Sequence, residues 1–565
     1  MTEYERWLSQ SLEDRDLTQE LESVRGNEEE INDRFYQDLA FGTAGLRGVI
    51  GAGTNRMNIY TVRKATQGIA NYLNKHKTGA SVAIAYDSRI KSELFARETA
   101  AVFAANGIHA HVYPRLTPTP TLSFAVRYLK CDAGVCITAS HNPAKYNGYK
   151  AYGSDGCQIT AEMANDVSAE IAATDIFEGV KHMSFDEGMK KGLISWIPDK
   201  VMDEFLMAVK GQSMIDEPCT GLKVVYTPLN GTGLIPVTRI LDMIGVDEVS
   251  IVPEQEHPDG NFTTCPFPNP EIREALQKGL ELCEKVHPDL LLATDPDADR
   301  CGIAVKQNGE YRLMTGNEVG VLLLDFIARR RKERGDMPKN PIAVTTIVST
   351  DMATPVAEHY GIACLRILTG FKYIGDQIAL LEEKGEEDRF LLGFEESYGY
   401  LSGGYVRDKD AVDASMLICQ MAWYYKQKGM TLADAMDALY DQFGYYRNEV
   451  ENFAFEGEDG MKAMASIMDS LRAKAPEEIA GWRVTGWSDY KTSVRCDGGK
   501  ESPITLPKSN VLEYRLDNGS KLIVRPSGTE PKIKVYLSGK GKTDAESRDV
   551  ISRLRAQTKP LLGMQ

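Results

Sequence analysis

The sequence has no apolar run long enough to cross a membrane. The best candidate, Val319 to Ala328, is short and contains Asp325, whereas a membrane helix needs about 18 or more apolar residues. The segment Met1 to Asp16 is charged throughout and lacks the apolar core of a secretory signal. We therefore expect a soluble, cytoplasmic protein.

Cysteine pairs at the spacing of a metal or redox motif are also missing. The ten cysteines are scattered, and the closest two, Cys131 and Cys136, do not form a Cys-x-x-Cys pair. Neither a disulfide framework nor a zinc site is indicated by this distribution. Such cysteine usage is typical of a reducing compartment and again favours the cytoplasm.

Positive charge is scarce relative to negative charge. The chain has 65 Lys and Arg against 81 Asp and Glu, a formal net charge of -16. This excess repels nucleic acid and anionic lipid, so neither is an expected partner. A small phosphorylated ligand is still compatible, because a few arginines in a cleft can reverse the local potential.

Length and residue patterning predict several α/β domains. At 565 residues, a prior of about 150 residues per domain gives about four domains. Apolar residues between Tyr4 and Leu39 recur at helical intervals, which predicts surface helices. Beyond them, apolar runs alternate with longer amphipathic stretches, which predicts β-α-β units and mostly parallel sheets. The predicted strands are Val82–Tyr86, Gly134–Ala139, Val224–Thr227, Leu290–Thr294 and Ile342–Val348.

Pro-containing or polar stretches mark the predicted domain boundaries. They lie near Ile197–Lys200, Arg331–Pro341 and Tyr445–Glu451. After the last of them the sequence pattern changes towards that of an α+β mixture. We predict domains at 1–200, 201–320, 321–447 and 448–565. The first includes the N-terminal helices, and the last is expected to differ from the other three.

Several predicted strands run into polar or charged residues. Ligands of open α/β sheets bind beyond the carboxyl ends of strands, so these segments are predicted to converge on one cleft. They are Asp87-Ser88-Arg89, Ser140-His141-Asn142, Asn230-Gly231-Thr232-Gly233, Asp295-Pro296-Asp297 and Ser349-Thr350-Asp351.

Three alternating carboxylates follow the predicted strand that ends at Thr294. Asp295, Asp297 and Asp299 offer hard oxygen ligands, and a divalent cation, with magnesium favoured, would hold this like charge together. A calcium loop of the EF-hand type would need Gly and Glu where this chain has Arg300 and Lys306. A solvated acidic turn is the alternative, and the position directly after a buried strand argues against it.

A serine leaves another predicted strand in the segment Thr138-Ala139-Ser140-His141-Asn142-Pro143. Its position suits a nucleophile or a phosphate carrier, and Lys150 adds positive charge. His141 suggests a serine hydrolase, but no Gly-x-Ser-x-Gly motif occurs in the chain. For Ser140 alone, a turn or helix cap is the alternative.

Weaker signals lie in five other segments. Arg525-Pro526-Ser527-Gly528-Thr529 combines a guanidinium, hydroxyls and a glycine backbone, the groups that bind a phosphate dianion, although it also reads as a plain turn. Gly393 to Gly399 presents Glu395 and Ser397, which suit sugar hydroxyls. The glycine-rich segment Phe41 to Gly48 carries Arg47. The segments with Lys372 and Arg407-Asp408-Lys409-Asp410 are typical of solvated charges.

Taken together and in this order, four motifs resemble those of the α-D-phosphohexomutase superfamily. They are Thr-Ala-Ser-His-Asn-Pro at 138–143, Asp-Pro-Asp-Ala-Asp-Arg at 295–300, Glu-Glu-Ser-Tyr-Gly at 395–399 and Arg-Pro-Ser-Gly-Thr-Glu at 525–530. The resemblance spans nearly the whole chain and fits the longer phosphoglucomutase and phosphopentomutase branch. It implies three mixed α/β domains and a C-terminal α+β domain around a central cleft.

The resemblance also implies residue roles. Ser140 would carry the phosphoryl group, and Mg²⁺ would be held by Ser140, Asp295, Asp297 and Asp299. Groups near the transferring phosphoryl would be Arg47, His141, Lys150 and Arg300, with Lys409 as the proton shuttle. Substrate-binding residues would be Lys372, Glu395, Ser397, Arg407, Arg525, Ser527, Gly528 and Thr529. Phe394, where many relatives have glycine, leaves the sugar preference open.

The function expected from this resemblance is interconversion of glucose 1-phosphate and glucose 6-phosphate. The route would use a phosphoserine and a glucose 1,6-bisphosphate intermediate, which also serves as activator. Lys409 would act as base if burial and nearby cations lower its pKa. The alternatives are phosphopentomutase or phosphomannomutase activity, a magnesium phosphatase of the aspartyl-phosphate type, which Asp299 argues against, and a non-catalytic sugar-phosphate sensor.

Overall fold

A computed structural model describes residues 2–43, 45–455, 459–527 and 532–564. The chain divides into two compact units. The first comprises residues 1–314, 374–390 and 398–431, and the second comprises residues 315–373, 391–397 and 432–565. None of the helices that the structure describes is both long and apolar enough to cross a membrane.

Three short helices open the first unit, as the spacing of apolar residues predicts. They are α1 (Glu3–Ser9), α2 (Arg15–Ser23) and α3 (Glu28–Phe35). A capping box starts α1, since Thr2 and Glu5 bond reciprocally through side chains and backbone N–H groups. Trp7 is fully buried and packs edge-on against Phe35 and Tyr60. This aromatic contact attaches the N-terminal helices to the sheet domain that follows.

The first sheet is mixed and has the strand order β1-β5-β4-β2-β3-β6. Strands β4, β2, β3 and β6 are parallel, and β5 runs antiparallel to both β4 and β1. In chain order the elements are β1 (Leu46–Val49), α4 (Ile59–His76), β2 (Ser81–Tyr86), α5 (Ser92–Ala105), β3 (His109–Val112), α6 (Thr119–Tyr128), β4 (Ala133–Ile137), β5 (Tyr146–Gly153), α7 (Ala161–Ala172), α8 (Phe185–Lys190), β6 (Ile194–Trp196) and α9 (Asp199–Lys210).

The second sheet, also in the first unit, has the order β11-β10-β9-β7-β8. Strand β7 pairs in parallel with β8 and β9, whereas β10 is antiparallel to β9 and β11. The elements are β7 (Lys223–Thr227), α10 (Leu234–Met243), β8 (Glu248–Ile251), α11 (Gln277–Val286), β9 (Leu290–Thr294), β10 (Cys301–Gln307) and β11 (Glu310–Met314).

The predicted strands are confirmed, but the prediction of mostly parallel sheets holds for only part of each sheet. After β4 and after β9 the chain returns at once through an antiparallel strand instead of crossing over through a helix. The two loops that carry Ser140 and the acidic triplet are therefore hairpin tips. Both β4 and β9 are buried at every residue, which gives each tip a rigid base.

The second unit contains three neighbouring strands of a third sheet, in the order β13-β12-β14. Strand β12 ends at Thr346, two residues before the predicted end. The elements from this part of the chain are α12 (Gly316–Arg334), β12 (Ile342–Thr346), α13 (Ala353–His359), β13 (Ala363–Ile367), α14 (Lys372–Glu382), β14 (Phe390–Phe394), β15 (Tyr400–Leu401) and α15 (Ala411–Lys426).

The last part of the second unit is an antiparallel sheet with helices, so the predicted α+β texture is confirmed. The strand order is β16-β23-β22-β21-β18-β19-β20, with β17 beside β18. Buried side chains of α17 and α18, such as Met468 and Leu554, join the core formed with the sheet. The elements are α16 (Leu432–Phe443), β16 (Tyr445–Ala454), α17 (Asp459–Ala473), β17 (Glu478–Ile479), β18 (Trp482–Asp489), β19 (Val494–Asp497), β20 (Lys500–Pro503), β21 (Leu512–Leu516), β22 (Lys521–Pro526), β23 (Lys532–Gly541) and α18 (Asp544–Leu561).

Candidate active site

Ser140 lies on the hairpin tip between β4 and β5, inside the first unit. Its side chain is buried, and its φ of 54° is in the left-handed region that few residues other than glycine adopt. The Ser140 N–H donates to Thr138 Oγ1 at 2.8 Å. Ser140 Oγ donates to Asp295 Oδ2 at 2.9 Å and lies 3.2 Å from His141 Nδ1. The tip of the first sheet thus places its hydroxyl on the acidic loop of the second.

The acidic loop between β9 and β10 is wholly buried. Asp295, Asp297 and Asp299 are at most 1% exposed, and their ligand atoms lie within 4.8 Å of one another. Asp295 Oδ1 accepts the N–H groups of Asp299 at 3.1 Å and Arg300 at 3.0 Å. These bonds curl the loop, so the three carboxylates that alternate along the sequence converge in space.

Two lysines lie against the triplet. Lys150, on β5, donates to Asp297 Oδ2 at 2.7 Å and to Asp299 Oδ2 at 3.2 Å. Lys409 Nζ lies 2.8 Å from Asp299 Oδ2 and 3.3 Å from Asp408 Oδ1. Both ammonium groups are buried away from water, so their charges must be compensated by these carboxylates.

The buried charges move the pKa values of Asp295 and Asp297 in opposite directions. Burial, reinforced by Asp297 and Asp299, raises the pKa of Asp295 well above its ordinary value. Burial also acts to raise the pKa of Asp297, but Lys150 outweighs it and the net shift is downward. The positive charges of the protein therefore do not fully compensate the burial of these carboxylates, which is consistent with a site built for an additional cation.

The residues present fit a metal ion. Asp297 Oδ1 and Asp299 Oδ1 are buried and lack a hydrogen-bond partner. Unpaired buried carboxylate oxygens are costly, and a hard divalent cation is the partner that such oxygens prefer. Within the described ranges, these aspartates are the one group of three or more His, Cys, Asp or Glu residues whose ligand atoms converge in this way.

Three other predicted catalytic groups of the first unit, Arg47, Arg300 and His141, lie at the Ser140 loop or at the acidic loop. Arg47, on β1, has Nη1 3.5 Å from Asn142 Oδ1. Arg300 donates from Nη1 to Glu271 Oε1 at 2.8 Å, and its Nε lies 3.9 Å from Asp299 Oδ1. Burial, together with Arg300 and Arg47, lowers the pKa of His141 well below its ordinary value. His141 is therefore neutral at neutral pH.

The charged run at 407–410 is buried, so its interpretation as solvated charge is wrong. Arg407 is 1% exposed, donates from Nη2 to Glu382 Oε2 at 2.6 Å and donates its backbone N–H to Ser123 Oγ at 2.9 Å. These contacts anchor the loop that presents Lys409. The substrate-binding role of Arg407 stays a prediction.

The lowered pKa required of Lys409 as a base is not found. Burial acts to lower the pKa of this ammonium, but Asp299 and Asp408 outweigh burial, and the net shift is upward. Asp408 in turn accepts a hydrogen bond from Tyr152 OH at 2.8 Å. In this arrangement Lys409 is held as a cation.

Within the second unit, the predicted sugar-binding loop follows β14. Glu395 is 5% exposed, and its Oε1 accepts the Gly370 N–H at 2.8 Å. Ser397 closes the same loop and is partly buried. Lys372, the first residue of α14, has Nζ 4.9 Å from the ring centroid of Tyr373.

The predicted phosphate-binding segment also belongs to the second unit. Arg525 lies on β22 and pairs with Lys534 of β23. The Ser527 N–H donates to the Lys532 carbonyl at 2.7 Å. Gly528 and Thr529 lie outside the described residues.

Three residues of the site carry no functional role in the sequence-based prediction. Thr119, at the start of α6, donates from Oγ1 to Asp297 Oδ2 at 2.9 Å. Asp408 supports Lys409, and Arg89 binds the carbonyl of Ser140 at 2.5 Å. A signal exists for Arg89, because it belongs to a polar segment at the end of a predicted strand. Thr119 has none, because an ordinary helix-start threonine looks the same in sequence.

Family models match the chain in four consecutive segments. They describe the α/β/α domains I, II and III of phosphoglucomutase/phosphomannomutase, at residues 38–176, 203–309 and 315–443, and the C-terminal domain of the same family at residues 454–556. A curated phosphoglucomutase from Staphylococcus aureus (strain bovine RF122 / ET3-1) is 38% identical over 516 residues, which cover 90% of this chain and 91% of that protein.

Solved structures share the fold at lower identity. A phosphoglucomutase/phosphomannomutase family protein from Burkholderia thailandensis aligns with a TM-score of 0.67 at 19% identity, covering 92% of this chain and 97% of its own. The phosphoglucomutase pp63/parafusin from Paramecium, in its open form, aligns with a TM-score of 0.65 at 17% identity, covering 93% and 96%.

Three mixed α/β domains and a C-terminal antiparallel domain, matched in order by four models of one family, define the class. The chain belongs to the α-D-phosphohexomutase superfamily. It is a phosphoglucomutase-type mutase, an isomerase that works by phosphotransfer. The family implies sugar phosphates as substrates and a metal ion as cofactor, and a buried aspartate triplet is present.

Proposed function

We propose that this chain interconverts glucose 1-phosphate and glucose 6-phosphate through a phosphorylated Ser140 and a glucose 1,6-bisphosphate intermediate. One observation carries the proposal: Ser140 Oγ lies 2.9 Å from Asp295 Oδ2, on a buried loop of three carboxylates. The name of the 38%-identical Staphylococcus aureus relative, phosphoglucomutase, supports glucose phosphates as the substrate.

In the proposed reaction, phospho-Ser140 donates its phosphoryl group to the free hydroxyl of the sugar monophosphate. The P–Oγ bond breaks as a P–O bond to the sugar forms. Ser140 Oγ takes a proton from the Lys409 ammonium as it leaves, and the resulting Lys409 amine takes the proton that the acceptor hydroxyl releases. The bisphosphate then reorients and transfers its other phosphoryl group to Ser140 Oγ, which regenerates phospho-Ser140. Lys409 is the proposed proton carrier, and its ammonium form, favoured by Asp299 and Asp408, is the form that delivers a proton to a departing oxygen.

We propose Mg²⁺ as the metal, held by Asp295, Asp297, Asp299 and an oxygen on Ser140. The Oδ1 atoms of Asp297 and Asp299, which lack a hydrogen-bond partner, support this assignment. Bound there, Mg²⁺ supplies charge neutralisation for the oxygens of the transferring phosphoryl group. Lys150 keeps two of the carboxylates in place through its bonds to Asp297 and Asp299.

The remaining predicted residues are proposed to bind the substrate. Near the transferring phosphoryl group, the cations of Arg47 and Arg300 and the neutral imidazole of His141 orient its oxygens. A vicinal pair of sugar hydroxyls suits the Glu395 carboxylate and the Ser397 hydroxyl, which accept either orientation of the ring. The residues proposed for the sugar and its second phosphate are Lys372, Glu395, Ser397, Arg407, Arg525, Ser527, Gly528 and Thr529.

We further propose that the enzyme works in the cytoplasm on small sugar phosphates, without nucleic acid or membrane partners. The net charge of -16 supports the absence of polyanionic partners. All ten cysteines are free, which fits a reducing compartment.

The first experiment replaces Ser140. Ser140→Ala should abolish conversion of glucose 1-phosphate in a coupled assay with Mg²⁺ and catalytic glucose 1,6-bisphosphate, while the thermal unfolding transition stays unchanged. Ser184→Ala is the control for loss of a serine hydroxyl elsewhere in the first unit, because Ser184 caps helix α8. Peptide mass spectrometry of the wild type should find the phosphate on Ser140. Normal turnover by Ser140→Ala would overturn the proposal.

Substrate preference is tested on the same preparation. Turnover is compared on glucose, mannose, ribose and deoxyribose phosphates, each with its own bisphosphate. We expect the highest kcat/KM for glucose 1-phosphate. A higher value for a pentose or mannose phosphate would replace glucose in the proposal and leave the Ser140 mechanism intact.

A further inference from the structure

A buried guanidinium lies under the loop that carries Ser140. The Arg89 side chain is fully buried. Its Nη1 donates to the carbonyls of Pro143 and Tyr146, both at 3.0 Å. Its Nη2 donates to the carbonyl of Ser140 at 2.5 Å and to that of Asn142. One planar group therefore gathers four carbonyls of a single loop.

Arg89 is itself held on its other sides. Its Nε lies 3.3 Å from Asp87 Oδ2, and Asp87 Oδ1 accepts Ser92 Oγ at 2.7 Å. The ring of Phe262 lies with its centroid 5.0 Å from the Arg89 Cζ, within cation–π range. A Cβ added at Gly260 would be 2.7 Å from the Ile90 backbone nitrogen, so the Phe262 segment packs closely on the Arg89 turn.

The loop needs such support because of its backbone. Ser140 occupies the left-handed region, which an L-residue other than glycine keeps only when its surroundings impose it. The direction of Ser140 Oγ towards Asp295 depends on that conformation. Arg89 binds the carbonyl of Ser140 itself, so it acts on the peptide unit that sets this direction.

We propose that Arg89 is a positioning residue for the phosphotransfer. It gathers the carbonyls of the loop from Ser140 to Tyr146 and thereby keeps Ser140 Oγ directed at Asp295. The inference rests on the proposed function, because it takes Ser140 as the phosphoryl carrier. Arginine is required here, since a lysine ammonium has three donors on one atom and cannot span four carbonyls as a planar fork does.

The test begins with Arg89→Lys, which keeps the buried positive charge. We expect kcat for glucose 1-phosphate to fall about 100-fold, the effect of a displacement of about 1 Å at a reacting group. KM should stay within about twofold, because Arg89 has no hydrogen bond to the described residues proposed for the sugar and its second phosphate. Arg97→Lys is the control for the same substitution elsewhere in the first unit: Arg97 lies on α5, and its Cζ is 4.8 Å from the ring centroid of Phe185.

Arg89→Ala provides a second readout. Guanidinium added at a non-denaturing concentration should raise kcat of the folded Arg89→Ala protein about tenfold or more and leave wild type and Ser140→Ala unchanged. Circular dichroism establishes folding of each variant. If neither Arg89 variant folds, Phe262→Leu decides: a several-fold lower kcat supports the proposal, and a wild-type kcat overturns it.

Two other outcomes overturn the proposal: wild-type kcat in folded Arg89→Lys, or a folded Arg89→Ala protein that guanidinium does not rescue. Failure of the proposed function looks different. In that case wild-type protein carries no phosphate on Ser140, or Ser140→Ala turns over normally, whatever the Arg89 variants do. If Ser140 is phosphorylated and Arg89→Lys is fully active, only the role of Arg89 is refuted.

Discussion

Removal of one buried hydroxyl should weaken metal binding without touching a metal ligand. Thr119 Oγ1 donates to Asp297 Oδ2 at 2.9 Å, and the Thr119 N–H donates to the Asp297 carbonyl at 2.8 Å. Thr119→Val keeps the backbone bond and the side-chain shape but removes the bond to the carboxylate. A hydrogen bond to a charged group contributes about 1.5–3 kcal/mol. At about 1.4 kcal/mol per tenfold, the Mg²⁺ dissociation constant should rise about 10- to 100-fold.

Isothermal titration of metal-free protein with Mg²⁺ measures this constant directly, and an activity titration with Mg²⁺ repeats it in the working enzyme. Thr121→Val is the matched control. Thr121 is equally buried on the same helix, but its hydroxyl donates to the Pro118 carbonyl at 2.6 Å. This control should lose about 1 kcal/mol of stability and no Mg²⁺ affinity. Equal Mg²⁺ affinity in Thr119→Val and wild type, or an equal loss in both variants, would refute the reasoning.

Three further predictions concern other parts of the chain. Arg525→Ala should raise KM for glucose 1-phosphate about 10- to 100-fold with little change in kcat, because a charge-assisted bond to the spectator phosphate is lost; an unchanged KM contradicts this role. Gly231→Ala would place a Cβ 2.4 Å from Pro296 Cα and so displace the acidic loop. Steady-state assays should show a kcat at least tenfold lower for Gly231→Ala, whereas Thr232→Ala should keep the wild-type kcat. Burial raises the pKa of Asp410 from 3.8 to about 6. The free energy of unfolding of wild type, relative to that of Asp410→Asn, should therefore fall by up to about 3 kcal/mol as the pH rises from about 4 to about 6. A difference between the two proteins that does not change with pH in unfolding experiments would contradict this prediction.

The acidic loop illustrates how buried like charge is tolerated. Three aspartates on one hairpin tip are accompanied by Lys150 and Lys409, which together contact two of them. The pKa of Asp295 is nevertheless raised, and the Oδ1 atoms of Asp297 and Asp299 have no hydrogen-bond partner. A bound cation would lower the pKa of Asp295 and would coordinate the two carboxylate oxygens. The ion proposed for the chemistry would therefore also stabilise this loop.

The local sequence was sufficient for much of this description. Alternating apolar and polar segments predicted the strands before Ser140 and before Asp295, because a buried strand needs a continuous apolar run. The spacing of Asp295, Asp297 and Asp299 predicted a cation site, because three carboxylates on one short loop repel one another and a divalent cation offsets that repulsion. The change of texture after Glu451 predicted a different last domain.

Tertiary structure alone decided which distant residues meet. Ser140 and Asp295 are 155 positions apart, and no local pattern encodes a contact between the tips of two sheets. The run at 407–410 looks solvated in sequence, yet the fold buries it, because burial depends on what packs around a segment and not on its own charge. Arg89 acquired four carbonyl partners for the same reason: the hairpin return after β4, in place of a helical crossover, brings the Ser140 loop back over the end of β2.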